Sequence, residues 1–228
     1  MKRLILVFLI LFFMSPPVYA DDLQEGIDAG KRGDYKTASE KLMPLAEQGD
    51  AEAQRNIGFM YYQGHGVTKN YSEALNWWLK SAEQGNVKAQ TSLGTIYLQG
   101  HGVPKNSTKA IKWLRRAAKN NESIAQAKIG MMLYGGDGVP QNFKEAAHWA
   151  NLSAEQNNPL GQILLGRLYM EGKGVTKNYI HALKWFYIAE MNGMKKIRKI
   201  LDLLLKELSP GHISEAQTLV KEWLKRRK

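Results

Sequence analysis

The chain has 228 residues, no cysteine and a net charge of +11 at neutral pH. Without cysteine there is no disulfide, no thiolate nucleophile and no thiolate metal ligand, so a chain of this length is held together by an apolar core. An excess of basic residues favours acidic partners, such as anionic lipid headgroups, acidic polymers, acidic proteins or nucleic acid.

The N-terminus has the anatomy of a secretory signal peptide, which we predict to span residues 1–20. Two basic residues precede an apolar run at residues 4–14, and Ala20 ends a small-residue cleavage site before Asp21. An uncleaved membrane anchor is the alternative, but about 20 apolar residues are needed to span a bilayer. We therefore expect a cleaved protein that is periplasmic or secreted and not transmembrane. An exported destination argues against nucleic acid as the partner.

Residues 21–50 are predicted to form a pair of helices with a break at Gly33. Ile27 and Leu42 belong to an apolar face with helical spacing. Pro44 lies inside the second helix, where a kink is expected. The segment carries eight acidic and four basic residues, which suits the polar outer face of a terminal unit in a repeat array. It resembles a tetratricopeptide hairpin that caps the N-terminal end of such arrays.

A segment of 36 residues then occurs four times without a change of length. The copies are residues 51–86, 87–122, 123–158 and 159–194. The loop in each copy keeps a Gly-x-Gly-Val core. A fixed period of this length indicates a solenoid, in which each unit buries its apolar face against its neighbours. The positions in constant register are Gly58, Gly94, Gly130 and Gly166; Ala74, Ala110, Ala146 and Ala182; and Trp77, Trp113, Trp149 and Trp185.

Each segment is predicted to contain two helices. In the first copy, apolar residues recur with helical spacing over residues 51–63. The second helix starts after an asparagine suited to an N-cap, and Glu73 and Glu145 are placed to complete a capping box. It ends at a glycine or an asparagine, the residues that most readily adopt the left-handed conformation. The predicted caps are Asn70, Asn106, Asn142 and Asn178 at the start and Gly85, Asn121, Asn157 and Gly193 at the end.

The unit resembles that of the Sel-1-like repeat family, relatives of the tetratricopeptide repeats, because it follows the pattern AxAQxxLGxxYxxGxGVxxNxxxAxxWxxxAAxxGx. The resemblance covers residues 51–194 and is specific for fold rather than for function. Gly161, Leu133 and Glu190 depart from the pattern. The resemblance implies an all-α fold, a right-handed α/α superhelical solenoid of helix pairs. It also implies an adaptor role, in assembling envelope complexes or in contacting host factors.

The glycine and tryptophan columns are interpreted as packing positions. A glycine lets neighbouring helices approach closely because it has no side chain. Tryptophans repeated at this spacing are expected to be core wedges between helices rather than a platform for a ligand.

Residues 195–228 are predicted to add two basic amphipathic helices, at 194–208 and 214–227, which cap the last repeat. This segment carries ten basic and four acidic residues. The alternative is a surface that meets a membrane or a partner through Trp223 and the basic residues 225–228.

No cofactor, metal site or catalytic residue is predicted. His65 and His101 share one loop position in adjacent repeats, but equivalent loops lie about 10 Å apart, too far to share a zinc ion easily. The chain contains no Ser-x-x-Lys, Gly-x-Ser-x-Gly, His-Glu-x-x-His or P-loop motif. Some cysteine-rich relatives of the family have been linked to β-lactam binding or hydrolysis, but this chain lacks their cysteines and the serine motif.

A partner-binding groove is predicted on the concave face, because in tetratricopeptide-like arrays the first helix of each pair lines the inner groove. Large apolar and aromatic residues with an arginine near each end are typical of protein contact surfaces. The alternative is that several of these residues are half-buried packing residues. The predicted groove consists of Arg55, Phe59, Tyr62, Thr91, Thr95, Leu98, Met131, Tyr134, Ile163, Arg167 and Met170.

Together these features predict a monomeric, non-catalytic exported scaffold that binds a protein or peptide on its concave face. The first alternative is an envelope module that binds anionic lipid or cell-wall polymer through its basic C-terminal helix. The second is a hydrolase acting on a β-lactam or on cell-wall material.

Overall fold

The computed structural model describes residues 16–227, which form twelve α-helices and one short 3-10 helix and contain no β-strand. The predicted all-α class is confirmed. The chain divides into two compact units between Gln84 and Gly85, which we call the N-terminal and C-terminal units. The helices are α1 (Pro16–Arg32), α2 (Tyr35–Glu47), α3 (Ala51–Gln63), α4 (Tyr71–Glu83), α5 (Val87–Gln99), α6 (Ser107–Lys119), α7 (Ser123–Gly135), α8 (Phe143–Glu155), α9 (Pro159–Glu171), α10 (Tyr179–Met191), the 3-10 helix (Lys195–Ile197), α11 (Arg198–Glu207) and α12 (Pro210–Lys225).

Most of the predicted signal peptide, residues 1–15, lies outside the described part of the chain. Residues 16–20 are the first five residues of α1, so the predicted cleavage point after Ala20 falls within that helix. Export and cleavage therefore stay predictions.

In the N-terminal unit, α1 to α4 form two helix pairs around an apolar core that includes Leu42 and Ile57. The predicted break is confirmed at Gly33, where φ of +83° turns the chain between α1 and α2. Asp34 then caps α2 by accepting a hydrogen bond from a backbone N–H of its first turn. α2 continues through Pro44 to its end, so the proline does not terminate the helix.

The second helix of each repeat begins and ends where its capping residues predict. All four predicted asparagines precede α4, α6, α8 and α10, and each side-chain oxygen accepts a hydrogen bond from a backbone N–H of the first turn. The predicted C-terminal residues all have positive φ, including the two asparagines, Asn121 at 61° and Asn157 at 64°. These predictions are confirmed.

The predicted capping boxes at Glu73 and Glu145 are wrong. In a capping box the glutamate side chain accepts from the N–H of the cap residue. Instead, the N–H of Asn70 donates to the carbonyl of Tyr61 and the N–H of Asn142 donates to that of Leu133, each at 2.9 Å. The loop thus closes on the end of the first helix, and this backbone bond takes the donor that a capping box would use.

The two glycines of each loop serve different purposes. Gly136 ends α7 in the left-handed conformation at φ +75°, and its N–H donates to the carbonyl of Met132 at 2.9 Å. Gly138 lies against Ser107 at the start of α6, where a Cβ would collide with the serine side chain. The first glycine therefore stops the helix, and the second lets the loop touch the preceding repeat.

The predicted close approach at the glycine column is confirmed. A Cβ on Gly166 of α9 would lie 2.5 Å from the ring of Phe186 on α10. In the N-terminal unit, a Cβ on Gly58 would lie 2.5 Å from the indole of Trp78. In these two pairs the first helix thus rests its bare backbone on a large side chain of the second helix, whereas at Gly130 the nearest atoms are Leu164 of α9 and the α8 backbone.

The prediction that the tryptophan column forms core wedges is wrong for three of its four members. Trp77, Trp113 and Trp149 are only half-buried, and the buried register is one residue later, at Trp78, Leu114, Ala150 and Phe186. Cations lie over three rings of the column: Lys80 Nζ lies 4.4 Å from the centre of Trp77, the guanidinium carbon of Arg116 lies 4.6 Å from that of Trp113, and Lys184 Nζ lies 4.1 Å from that of Trp185.

Amide side chains connect the two helices of a repeat in the C-terminal unit. The Nε2 of Gln156 donates to Oε1 of the buried Gln126 at 2.7 Å, and the Nδ2 of Asn192 donates to Oε1 of the buried Gln162 at 2.9 Å. The glutamine of the Ala-Gln motif is therefore the acceptor in a ladder with a spacing of 30 residues. Because an unpaired buried amide is costly, these bonds fix the register of the pairs.

The C-terminal segment forms two helices, as predicted, but α12 begins at Pro210 rather than at residue 214. Ser209 caps it by accepting from the N–H of His212, and a proline in the first turn needs no partner for its missing N–H. α12 packs against α10, which buries Trp223 next to Trp185 with ring centres 6.0 Å apart.

We predict that Gly166→Ala lowers the free energy of unfolding by about 1–3 kcal/mol, because the new methyl group overlaps the fully buried ring of Phe186. Urea denaturation measures the change. The control is Gly211→Ala in α12, whose Cβ would meet nothing closer than Ser209 Oγ at 3.8 Å, so stability should stay the same or rise slightly. Equal effects of both substitutions would contradict the packing role of Gly166.

We also predict that Trp223→Ala loosens α12, because it removes a buried indole and its hydrogen bond from Nε1 to Oε2 of Glu155 at 2.9 Å. A loss of about 3 kcal/mol or more is expected. Hydrogen exchange should show faster exchange of the α12 amides in this variant. The control is Lys221→Ala at an exposed position of α12, which should leave those amides protected. Unchanged protection in Trp223→Ala would contradict this account.

Candidate partner-binding surface

The first helix of each repeat leaves one line of its residues at the surface. Residues 2, 6, 9 and 13 of a repeat form one line on the helix, at the spacing i, i+4, i+7, i+11, and all are accessible except residue 6 of the fourth repeat, the buried Leu164. In the N-terminal unit this line is Glu52, Asn56, Phe59 and Gln63. In the C-terminal unit we call it the first-helix stripe, and it comprises Lys88, Ser92, Thr95, Gln99, Ile124, Lys128, Met131, Gly135, Leu160, Arg167 and Glu171.

Of the three predicted groove residues in the N-terminal unit, only Phe59 is open to solvent, with 42% of its surface exposed. Arg55 is partly buried and pairs with Glu52. Tyr62 packs towards α4, with ring centres 5.2 Å from Tyr71 and 5.3 Å from Trp78.

The predicted groove residues of α5 are mostly committed to their own helix. Thr91 is buried, and its hydroxyl donates to the carbonyl of Val87 at 3.1 Å. Thr95 lies on the first-helix stripe, but its hydroxyl donates to the carbonyl of Thr91 at 2.9 Å. Leu98 is half-buried. Of these three predicted residues, only Thr95 and Leu98 are accessible to a partner.

The predicted groove residues of α9 point in two directions. Ile163 and Met170 are partly buried against the apolar cluster formed by α10 and α11, whereas Arg167 is exposed on the first-helix stripe. In the middle column of the prediction, Phe59 and Arg167 are exposed, whereas Thr95 and Met131 are partly buried. The other two columns are half-buried or buried, as the packing alternative states.

The outer ends of α7 and α9 are joined by a polar cluster around Glu171. The hydroxyl of Tyr134 donates to Oε2 of Glu171 at 2.7 Å, and Lys173 Nζ lies 2.9 Å from the same oxygen. Arg167 Nε lies 3.8 Å from the other carboxylate oxygen. Both cations also lie near the Tyr134 ring, the Arg167 guanidinium carbon at 5.8 Å and Lys173 Nζ at 5.3 Å from its centre.

The pKa shifts in this cluster follow from its contacts. Burial and the hydrogen bond to Glu171 raise the pKa of Tyr134. Burial acts to raise the pKa of Glu171, but hydrogen bonds from Tyr134 and Lys173 outweigh it and the pKa is lowered. The hydrogen bond to Glu171 raises the pKa of Lys173. Glu171 is therefore ionised, and two cations share one carboxylate.

Sequence reasoning missed Lys128, Ile124 and Glu171, because it considered only three columns of the first helix. Lys128 is mostly buried on α7 and forms no salt bridge with any residue of the part the structure describes. Burial alone lowers its pKa. Ile124, one turn earlier, has 44% of its surface exposed. The i, i+4, i+7, i+11 spacing of the positions that lie off the apolar face was the signal that could have identified them.

The basic end of α12 does not expose the tryptophan that the lipid-binding alternative requires. Trp223 is buried, so its ring has no access to a bilayer. Arg227 donates to the carbonyl of Glu155 and its guanidinium carbon lies 4.5 Å from the centre of the Trp223 ring. Lys225 and Arg226 are exposed.

Two further observations bear on chemistry and location. Within residues 16–227 no three acidic or histidine side chains come together as a metal-binding group. No helix of that part of the chain is both long enough and apolar enough to cross a membrane. The His65 ring instead stacks on Tyr35, with ring centres 4.1 Å apart.

Comparison with known proteins agrees with this repeat geometry. The family profile of the Sel1 repeat matches residues 51–86, 87–122, 123–158 and 159–194. The chain belongs to the Sel1 repeat family. The suspected resemblance is thereby confirmed.

Solved Sel1 repeat proteins share this architecture. A Sel1 repeat protein from Oxalobacter formigenes is 33% identical over 74% of this chain and 49% of its own, with a TM-score of 0.66. A protective antigen of uropathogenic Escherichia coli that displays an SLR fold is 28% identical over 91% of this chain and 53% of its own, with a TM-score of 0.59. The chain thus spans about half the length of these two relatives.

A Sel1 repeat protein from Klebsiella pneumoniae is 20% identical over 82% of this chain and 92% of its own, with a TM-score of 0.56, which supports the fold alone. The comparison with curated proteins yields no match. Sel1 repeat proteins are generally scaffolds for protein interaction and are typically non-catalytic.

We predict that Lys128→Met raises the free energy of unfolding at neutral pH, because no opposite charge offsets the burial of the ammonium group. Its pKa in the folded protein lies below the ordinary value of 10.5. The loss of stability caused by burying the charged Lys128 is therefore full below the pKa of the folded state. It disappears as the pH rises towards 10.5, the ordinary pKa of lysine. Urea denaturation over a pH series should show the advantage of the variant shrinking in that direction.

The control is Lys112→Met on α6, where the lysine is exposed. It should change stability little at any pH in the series. If the gain in the free energy of unfolding for Lys128→Met did not change with pH, the gain could not come from removing the buried charge.

Proposed function

We propose that this Sel1 repeat protein is a non-catalytic, exported scaffold that binds a protein or peptide along the exposed line of its first helices. The observation that supports the proposal most directly is the exposure of large apolar side chains there. Phe59 is 42% exposed and Ile124 is 44% exposed, although both lie on helices whose opposite faces are well packed. Apolar side chains held in this way are typical of contact surfaces.

The fold does not need these side chains. The core of each pair is complete on the opposite side of the first helix, where Ile57 of α3 and Ile129 of α7 are fully buried. Rigid helices also present their exposed residues in fixed positions, which lowers the entropy cost of binding. A role in contacting another molecule accounts for exposed apolar residues that packing leaves unexplained.

A scaffold role also agrees with the family, and repeat arrays offer extended surfaces with little chemistry of their own. The exported location rests on the basic head, the apolar run and the small-residue site before Asp21 in the sequence. N-terminal sequencing of the protein recovered from a periplasmic fraction tests that part of the proposal.

Site-specific photocrosslinking tests the binding surface. Benzoyl-phenylalanine placed at Phe59 or at Ile124 replaces an exposed apolar side chain and should crosslink to a partner in cells, giving discrete products. The matched control is the same probe at Met191 of α10, which is 61% exposed but lies outside the first helices. It should give no such product.

Serine substitutions complete the test. The partner identified by crosslinking is then recovered by pull-down without a crosslinker. The double variant Phe59→Ser with Ile124→Ser should reduce its recovery about tenfold or more, because interface anchors of this kind contribute about 1–2 kcal/mol each. Met191→Ser should leave recovery unchanged. Products that form equally well from Met191, or only from Met191, would contradict the proposed surface.

A further inference from the structure

Resting on the proposed function, we infer that the face formed by α7 and α9 binds a peptide segment that carries acidic side chains. Lys128, Arg167 and Lys173 would contact its carboxylates, and the apolar residues between them would contact its apolar side chains. Arg167 and Lys173 lie together at Glu171 and Tyr134, and Lys128 lies on α7, which packs directly on α9 in the C-terminal unit.

The first reason is a surplus of positive charge on this face. Arg167 and Lys173 both pair with Glu171, and that carboxylate cannot neutralise two cations. Their side chains remain 49% and 44% exposed. A second carboxylate, supplied by a partner, would complete the pairing of Arg167 and Lys173.

The second reason is the position of Lys128 itself. Its ammonium group is mostly buried, forms no salt bridge within residues 16–227 and has its pKa lowered by burial. An unpaired cation of this kind destabilises the fold and contributes nothing to it. It would gain strongly from an incoming carboxylate, because a partly buried ion pair is screened less by water and salt than an exposed one.

The third reason is that apolar contacts lie beside these charges. Ile124 and Met131 are on the same line of α7 as Lys128, one turn on either side. The ring of Tyr134 is held in place by its hydrogen bond to Glu171 and by contact with Phe143, with ring centres 5.7 Å apart. The face therefore suits a segment in which acidic and apolar side chains both occur.

The probe is a displayed library of random short peptides, selected for binding to the full mature chain. The peptides retained should be enriched in Asp and Glu relative to the unselected library. A triple variant, Lys128→Gln with Arg167→Gln and Lys173→Gln, should lose that enrichment. A matched variant, Lys112→Gln with Lys119→Gln and Lys144→Gln, removes the same charge from exposed positions on α6 and α8 and should keep it.

A synthetic copy of one retained peptide then allows direct measurement. Its binding, followed by fluorescence anisotropy, should weaken about tenfold or more in the triple variant or when its Asp and Glu are replaced by Asn and Gln, and should weaken with added salt. Because removing Lys128 relieves a buried charge, circular dichroism should show the triple variant folded.

The outcomes separate the two proposals. Retained peptides without acidic enrichment would overturn the inference and leave the scaffold proposal standing. If no peptide is retained and phosphatidylglycerol vesicles bind in a way that depends on the same three cations, the ligand of this face is a lipid surface and the inference is overturned. Failure of the photocrosslinking at Phe59 and Ile124 would overturn the scaffold proposal on which it rests.

Discussion

The fold depends on the close approach of the two helices of a repeat at the glycine of the first helix. At Gly166 and Phe186 there is no room for even one methyl group. This contact fixes which side of the first helix is turned towards its partner. The opposite side carries the exposed Ile124 and Arg167 and the partly buried Lys128. Packing within the pair therefore determines which residues are available for binding.

Polar contacts add register to this packing. The bonds from Gln156 to Gln126 and from Asn192 to Gln162 recur with one spacing, and each is buried enough that a slipped pairing would leave an amide unsatisfied. Apolar contacts alone tolerate sliding, whereas these bonds do not. Lys128 has no such partner. A largely buried cation without a carboxylate partner is a local conflict of the kind expected where function overrides stability.

Much of the fold could be predicted from the sequence, because helix boundaries depend on local chemistry. The range of α3, the asparagine caps and the left-handed Asn121 and Asn157 all follow from residue type and spacing. The candidate site could not be predicted as well. Periodicity shows that a position is constrained but not which neighbour constrains it. Thr91 was assigned to the groove yet is buried, and Trp149 was assigned to the core yet is half-exposed.

Trp149 and Trp185 occupy one register of the repeat, yet only Trp185 is buried, because α12 covers it. The last helix therefore gives one copy of a repeated residue a different environment from the others. An indole transferred from a dry site to water emits at longer wavelength. The protein thus carries a built-in optical reporter: detachment of α12 would shift the emission of Trp185 and Trp223 together while that of Trp113 and Trp149 stayed as it was.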